Sequence, residues 1–146
     1  MRGGTESIHN IAGLNLAFLN AYKNLEKDSK KIKSIKKYFI EKLTQEFDIK
    51  INGCKDESSY TILNILFPIS ISKKPILNFK LDLHGIACSG GSACQSGSDK
   101  PSHVLSEILG PDLIKNISIR FSFSKLNSID EVDKVVSFFK EFINEN

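Results

Sequence analysis

The sequence predicts an α+β domain, an α/β sandwich in which a small sheet is covered on one face by helices. Three observations carry that prediction. Apolar residues recur at helical spacing towards both ends of the chain, a strictly alternating segment lies between them, and strands and helices are interleaved without an internal repeat. The 146 residues fit one domain, and a hydrophobic content of 40% is adequate for a core. The size relations put roughly two-thirds of the unfolded surface out of water on folding, so neither a metal nor a disulfide is required for stability.

The elements follow in order. Ile8, Ile11, Leu14, Phe18 and Tyr22, then Ile32, Ile35, Phe39 and Leu43, mark two helices, with a break at Lys27-Asp28-Ser29 where Asp28 or Ser29 can cap the second. Lys30, Lys31, Lys33, Lys36 and Lys37 read as the solvated face of that second helix. Asp48 to Asn52 and Tyr60 to Phe67 read as strands around a turn-rich segment. Lys74 to Leu83 reads as a short helix following the extended residue that must precede Pro75. Pro101 to Leu109 reads as another, stopped by Gly110 as a left-handed cap and by Pro111. Asn116 to Ser124 alternates, with Ile117, Ile119, Phe121 and Phe123 on one side and Ser118, Arg120, Ser122 and Ser124 on the other. Ser128-Ile129-Asp130-Glu131 has the form of a capping box and opens a last helix whose stripe is Val132, Val135, Val136, Phe139, Phe142 and Ile143.

Composition excludes several functions. A net charge of +3 spread along the chain is far from the basic stripe of a nucleic-acid binder. The longest apolar run, Ile62 to Ile71, is interrupted by Asn64, Pro68 and Ser70 and is well short of the roughly 20 residues of a membrane helix. The polar start lacks the apolar stretch of a signal peptide, and the cysteines number three, so a reducing cytoplasm is the expected location.

Chemistry concentrates between Cys88 and Ser98, a tract of Ser, Gly, Ala, Gln and Cys that cannot bury a core face. Cys94 stands inside it. A cysteine in a polar, glycine-rich tract can reach a partner, whereas a structural cysteine is normally a small buried hydrophobe. Residue types alone leave both a reactive thiol and an unremarkable surface cysteine open. His84, Cys88, Cys94 and His103 are separated by 4, 6 and 9 residues, which matches no common zinc spacing, so no metal is expected.

Gly85-Ile86-Ala87-Cys88-Ser89-Gly90-Gly91-Ser92-Ala93-Cys94-Gln95-Ser96-Gly97, followed by Lys100-Pro101-Ser102-His103-Val104-Leu105, resembles the catalytic cysteine loop of the cysteine desulfurases of the NifS and IscS type, which are pyridoxal-phosphate enzymes. Arg2-Gly3-Gly4-Thr5-Glu6-Ser7 resembles that family's Arg-Ser-Gly-Thr-Glu-Asn segment, with Gly3 where the family has Ser. Ser118-Ile119-Arg120-Phe121-Ser122 resembles its Ile-Arg-Phe-Ser strand. The three matches occur in the family's order and span nearly the whole chain.

The resemblance implies the C-terminal third of such an enzyme. Residues 1–29 would lead from the large domain through an interdomain helix, and residues 30–146 would form the small domain carrying the cysteine loop, 88–98. It makes Cys94 the nucleophile that takes sulfur from L-cysteine as a persulfide, leaving L-alanine. It makes Arg120 the holder of the substrate carboxylate, and Thr5 a donor to the cofactor phosphate in the neighbouring subunit. Without it, Thr5 reads as a helix cap and Arg120 as a surface arginine on a strand. Cys88 reads either as a small residue entering the loop or as a resolving thiol for Cys94.

In that family the cofactor lysine follows a histidine. Here His9 precedes Asn10, His84 precedes Gly85 and His103 precedes Val104. The expectation is therefore a fragment, whether a cloned piece, a truncated gene product or one part of a split enzyme, that is inactive alone and binds no pyridoxal phosphate alone. The expected partners are the missing large domain or a homodimer mate and a sulfur acceptor such as an iron–sulfur scaffold. The alternative is a non-catalytic sulfur relay that keeps a persulfide-accepting thiol. On the fragment reading, the apolar face of the first helix, Ile8 to Tyr22, is left partly uncovered.

Overall fold

The computed structural model describes residues 3–54, 57–90 and 102–145. Its first element, α1 (Ile8–Glu46), is one uninterrupted helix of 39 residues, where the sequence had suggested two. Nothing at the expected break stops a helix, since Lys, Asp and Ser are tolerated inside one when their side chains find other partners. Asp28 pairs with Lys125 at 3.4 Å, and the Ser29 hydroxyl donates to the Glu26 carbonyl at 3.0 Å, the back-bond open to a serine within a helix. At the other end the boundary residue is Ser7, not Thr5.

Three strands follow as an antiparallel sheet in the order β1 (Lys50–Ile51), β2 (Ile62–Ser70), β3 (Asn116–Ser122). Leu63 faces Phe121 and Ile65 faces Ile119, which sets the apolar positions of both strands on one side. The central strand runs through Pro68 to Ser70, past Phe67, where the sequence reading had ended it. Pairing slips between Leu66 and Ser70, and Pro68, which has no N–H to give to the ladder, sits inside the slip.

Helices α2 (Lys74–Leu83), α3 (His103–Ile108) and α4 (Ile129–Asn144) complete the fold. Ile35, Phe39 and Leu43 of α1, Leu77 and Leu81 of α2, and Val132, Val136, Phe139 and Phe142 of α4 join the inward sheet residues in one core. Its centre is aromatic. Phe67 and Phe139 stack with centroids 4.4 Å apart, and Phe39 meets Phe121 edge-on at 4.9 Å. Phe138, absent from the expected stripe, is buried as well, because it reaches sideways to the ring of His84 at 5.0 Å. The expected capping box is present: the Ser128 hydroxyl accepts from the Glu131 N–H, and the Glu131 carboxylate accepts from the Ser128 N–H. Bonds from Asn127 and then from the Ser128 N–H hold the Glu131 carboxyl below the usual range.

Two further corrections concern charge and turns. Lys36 is not on a solvated face. It is 8% exposed, and its ammonium donates to the Ser58 hydroxyl at 2.9 Å and the Ser59 carbonyl at 2.8 Å. Position 36 follows Ile35 and lies one helical turn before Phe39 and Ile40, so its stem is drawn over the edge of the core. Gly110 is not a left-handed cap. The end of α3 is made by Leu109 in extended conformation, and the positive-φ glycines among the described residues are Gly4, Gly53 and Gly85.

Most of the first 24 residues of α1 project beyond this core. Ile8, Ile11, Leu14, Phe18 and Tyr22 are all exposed, and the buried positions of the helix begin at Ile32.

Candidate active site

The expected site residues are distributed over three places. Arg120 lies on the polar side of β3, half-buried, opposite Asn64 of β2. Thr5 is exposed ahead of α1. Cys94 lies outside the described residues, but the upstream root of its tract, through Gly90, is described.

The upstream root is built by a local motif. Helix α2 ends at Leu83, and Gly85 takes φ +66, a left-handed conformation open to a residue without Cβ. The Gly85 N–H bonds the Asp82 carbonyl and the Ile86 N–H bonds the Leu81 carbonyl, both at 2.9 Å, which is the Schellman pattern with Ile86 placed to pack on Leu81. The signal was present as Leu-His-Gly-Ile after an apolar-periodic run, and the sequence reading passed over it. This turn sends the chain back along the sheet. Ser89 then pairs with Arg120 through two backbone bonds, Arg120 N–H to Ser89 carbonyl at 2.7 Å and Ser89 N–H to Arg120 carbonyl at 3.1 Å.

A row of residues therefore crosses the sheet: Asn52, Asn64, Arg120 and Ser89. Because the Arg120 backbone bonds towards Ser89, Arg120 and Asn64 form a non-hydrogen-bonded pair, the kind in which side chains stand closest. The neighbouring polar groups are tied together. The Asn52 amide nitrogen donates to the Asn64 side-chain oxygen at 2.9 Å and to the Ser118 hydroxyl at 3.1 Å. The buried Asn52 side-chain oxygen has no hydrogen-bond partner among the described residues. An arginine on this ordered polar surface, beside the start of the cysteine tract, can present its planar guanidinium to a carboxylate.

Cys88, one residue before the bridge, packs partly buried against the core, and burial pushes its thiol up to about 11. A thiol held protonated is a poor nucleophile, which favours the packing role over the resolving role.

The aminotransferase class-V family profile matches residues 1–135. The chain belongs to this family. It is 33% identical over 144 residues to the cysteine desulfurase IscS of Pseudoalteromonas translucida, covering 98% of the chain and 35% of that protein. It is 35% identical over 133 residues to a putative cysteine desulfurase IscS of Bacillus subtilis, covering 90% of the chain and 35% of that protein. Among solved structures it resembles a NifS-like protein from Rickettsia africae, with 27% identity and a TM-score of 0.76 over 98% of the chain and 36% of the other. The chain thus spans about a third of the length of the relatives it matches.

The described residues of the chain fit pyridoxal phosphate, the cofactor the resemblance implies, only in part. Thr5 offers one exposed hydroxyl, and nothing lies within 4 Å of where a side chain would start at Gly3 or Gly4, so a phosphate can approach. One hydroxyl is not a cradle. At about 1.5 Å per residue, the 24 helical steps from Ile8 to Ile32 also keep Thr5 roughly 36 Å along the axis from the buried part of α1. Among the described residues no helix is long and apolar enough to cross a membrane.

Proposed function

We propose that the chain is the small C-terminal part of a cysteine desulfurase, with residues 1–29 leading from the large domain and residues 30–146 forming the small domain. The observation that carries this reading is the pairing of Ser89 with Arg120, because it roots the Cys94 tract beside the group suited to holding an amino-acid carboxylate.

Each residue then has a task. Arg120 binds the carboxylate of L-cysteine in two-pronged fashion and fixes which way the substrate thiol points. Cys94, as thiolate, attacks the substrate sulfur. A sulfur–sulfur bond forms, the carbon–sulfur bond breaks, and the β-carbon leaves with the electron pair and takes a proton to become L-alanine. The tract then presents the persulfide to an acceptor such as an iron–sulfur scaffold protein. Pyridoxal phosphate, held elsewhere in the complete enzyme, stabilises that electron pair. Thr5, standing far from Arg120 along α1, suits donation to a cofactor phosphate in a neighbouring subunit. A cytoplasmic setting keeps the thiol reduced.

Mixing the chain with pyridoxal phosphate and L-cysteine should release neither sulfide nor alanine. Co-expressing it with the upstream two-thirds of a relative should restore both, and Cys94→Ala should abolish them again. Turnover by the isolated chain would overturn the fragment reading, and a fully active Cys94→Ala assembly would overturn the role of the thiol.

A further inference from the structure

A groove of about 520 Å³ lies away from the polar sheet surface, between α1 and the segment joining β1 to β2. Its walls are Lys33, Lys36, Lys37, Glu41, Ser58 and Tyr60, and its floor is apolar, from Ile40 and Ile51. We propose that this groove binds the phosphate group of a small molecule.

The argument starts from charge. Three ammonium groups at positions i, i+3 and i+4 of one helix meet a single carboxylate among the described lining residues, and Glu41 lies 3.8 Å from Lys37. Among the described residues, neither Lys33 nor Lys36 has a carboxylate within ion-pair distance. Lys36 is also the one charged residue buried in the described core. Its two partners are neutral oxygens, and an ammonium has three donors, so one N–H remains for a ligand. A buried cation with no counter-charge among the described residues is unfavourable, and burial pulls the Lys36 pKa below the ordinary lysine range. An anion in the groove would reverse that penalty.

Geometry favours phosphate over a single carboxylate. A tetrahedral anion has enough acceptor oxygens to meet two ammonium groups and a hydroxyl together. The Ser58 oxygen accepts from Lys36, which leaves its own hydrogen free to donate to the same anion. Ile40 and Ile51 give an organic group on the phosphate an apolar surface to rest on, and the Tyr60 ring, with the Lys33 Nζ 5.8 Å from its centroid, holds that ammonium at the groove.

The test is an amide chemical-shift titration of the 146-residue chain with sodium phosphate, against sodium chloride at equal ionic strength. Saturable shifts confined to the amides of Lys36, Ile40, Ile51, Ser58 and Tyr60 are expected with phosphate. Binding should weaken about tenfold in Lys36→Met, the loss of one charge-assisted contact. Lys33→Gln, an exposed substitution that leaves the core untouched, should weaken it too. Tighter binding of phenyl phosphate would identify an organic phosphate ester as the occupant, and equal binding would identify free phosphate. Identical shifts with chloride, or unchanged phosphate affinity in Lys33→Gln and in a folded Lys36→Met, would overturn the proposal.

Discussion

Ser89 and Arg120 exchange backbone hydrogen bonds in both directions, at 3.1 and 2.7 Å, so the first residue of the serine- and glycine-rich tract is held beside the strand residue that bears the guanidinium. The bridge uses only main-chain atoms. Side-chain chemistry at position 120 is therefore separable from the attachment of the loop.

That separation predicts the behaviour of Arg120→Lys. The fold should be nearly unaffected, within about 0.5 kcal/mol, because the strand pairing and the inward residues stay as they are. In an assembly with the upstream two-thirds of a relative, KM for L-cysteine should rise roughly tenfold or more, since a lysine cannot make the two-pronged contact. Steady-state alanine production and a urea melt check both halves. An unchanged KM would remove Arg120 from substrate binding.

Gly85 and Gly110 should respond oppositely to alanine. Gly85 has φ +66, where an L side chain costs about 1–2 kcal/mol, and no neighbouring atom lies close enough to add a clash. Gly85→Ala should therefore lower Tm by several degrees, with Gly85→Asn less damaging. Gly110 is not among the positive-φ glycines and has open space around it, so Gly110→Ala should be neutral or stabilise by up to about 1 kcal/mol. Equal melting temperatures for Gly85→Ala and the parent would contradict the Schellman turn.

The same pair of glycines marks where sequence was informative. Periodicity identified the alternation of β3 and the buried stripe of α4, because in each case one face is buried and the pattern is enforced by packing, whereas Lys74, expected to be extended before Pro75, is helical and opens α2. It failed where local signals compete. Gly110-Pro111 looked like a stronger helix stop than His84-Gly85, and Lys27-Asp28-Ser29 looked like a break although each of these residues is acceptable inside a helix. Burial of Lys36 was invisible, since a lysine next to core positions is normally solvated and its acceptors, Ser58 and Ser59, are more than 20 residues away. At the candidate site, the motifs named Cys94, Arg120 and Thr5. Only tertiary pairing could reveal that Ser89 and Asn64 flank Arg120 on either side.

Helix α1 should have two stabilities. From Ile32 onward it is anchored by Ile35, Phe39 and Leu43, whereas the stretch from Ile8 to Tyr22 exposes its apolar residues and rests on local hydrogen bonds. Helical segments without tertiary cover are marginal in water. In hydrogen exchange on dilute protein, amides between residues 12 and 24 should exchange roughly a hundredfold or more faster than those between 35 and 43. Adding the upstream two-thirds of a relative should slow them. Uniform protection along α1 in the isolated, dilute chain would show that the exposed face is stable unaided.

The three cysteines should separate by reactivity. Cys54 is exposed and Cys88 has its thiol pushed up to about 11 by burial, so at pH 8 about one Cys88 in a thousand is thiolate. Mass-spectrometric iodoacetamide labelling should therefore find Cys88 slowest, with a rate that climbs about tenfold per pH unit towards 11. Cys94, if it is the sulfur acceptor, should label fastest near neutral pH. A folded-state thiol pKa raised from 9.0 to about 11 also means that the unfolded chain gives up its proton first. Between those values the native state binds more protons, so this group's contribution to stability falls as pH rises from about 9 to about 11. In Cys88→Ala that contribution is absent, and the alkaline slope of Tm should be shallower. Labelling of Cys88 at the rate of Cys54 at pH 8 would contradict its burial, and Cys94 labelling no faster than Cys54 would remove the basis for an activated thiol.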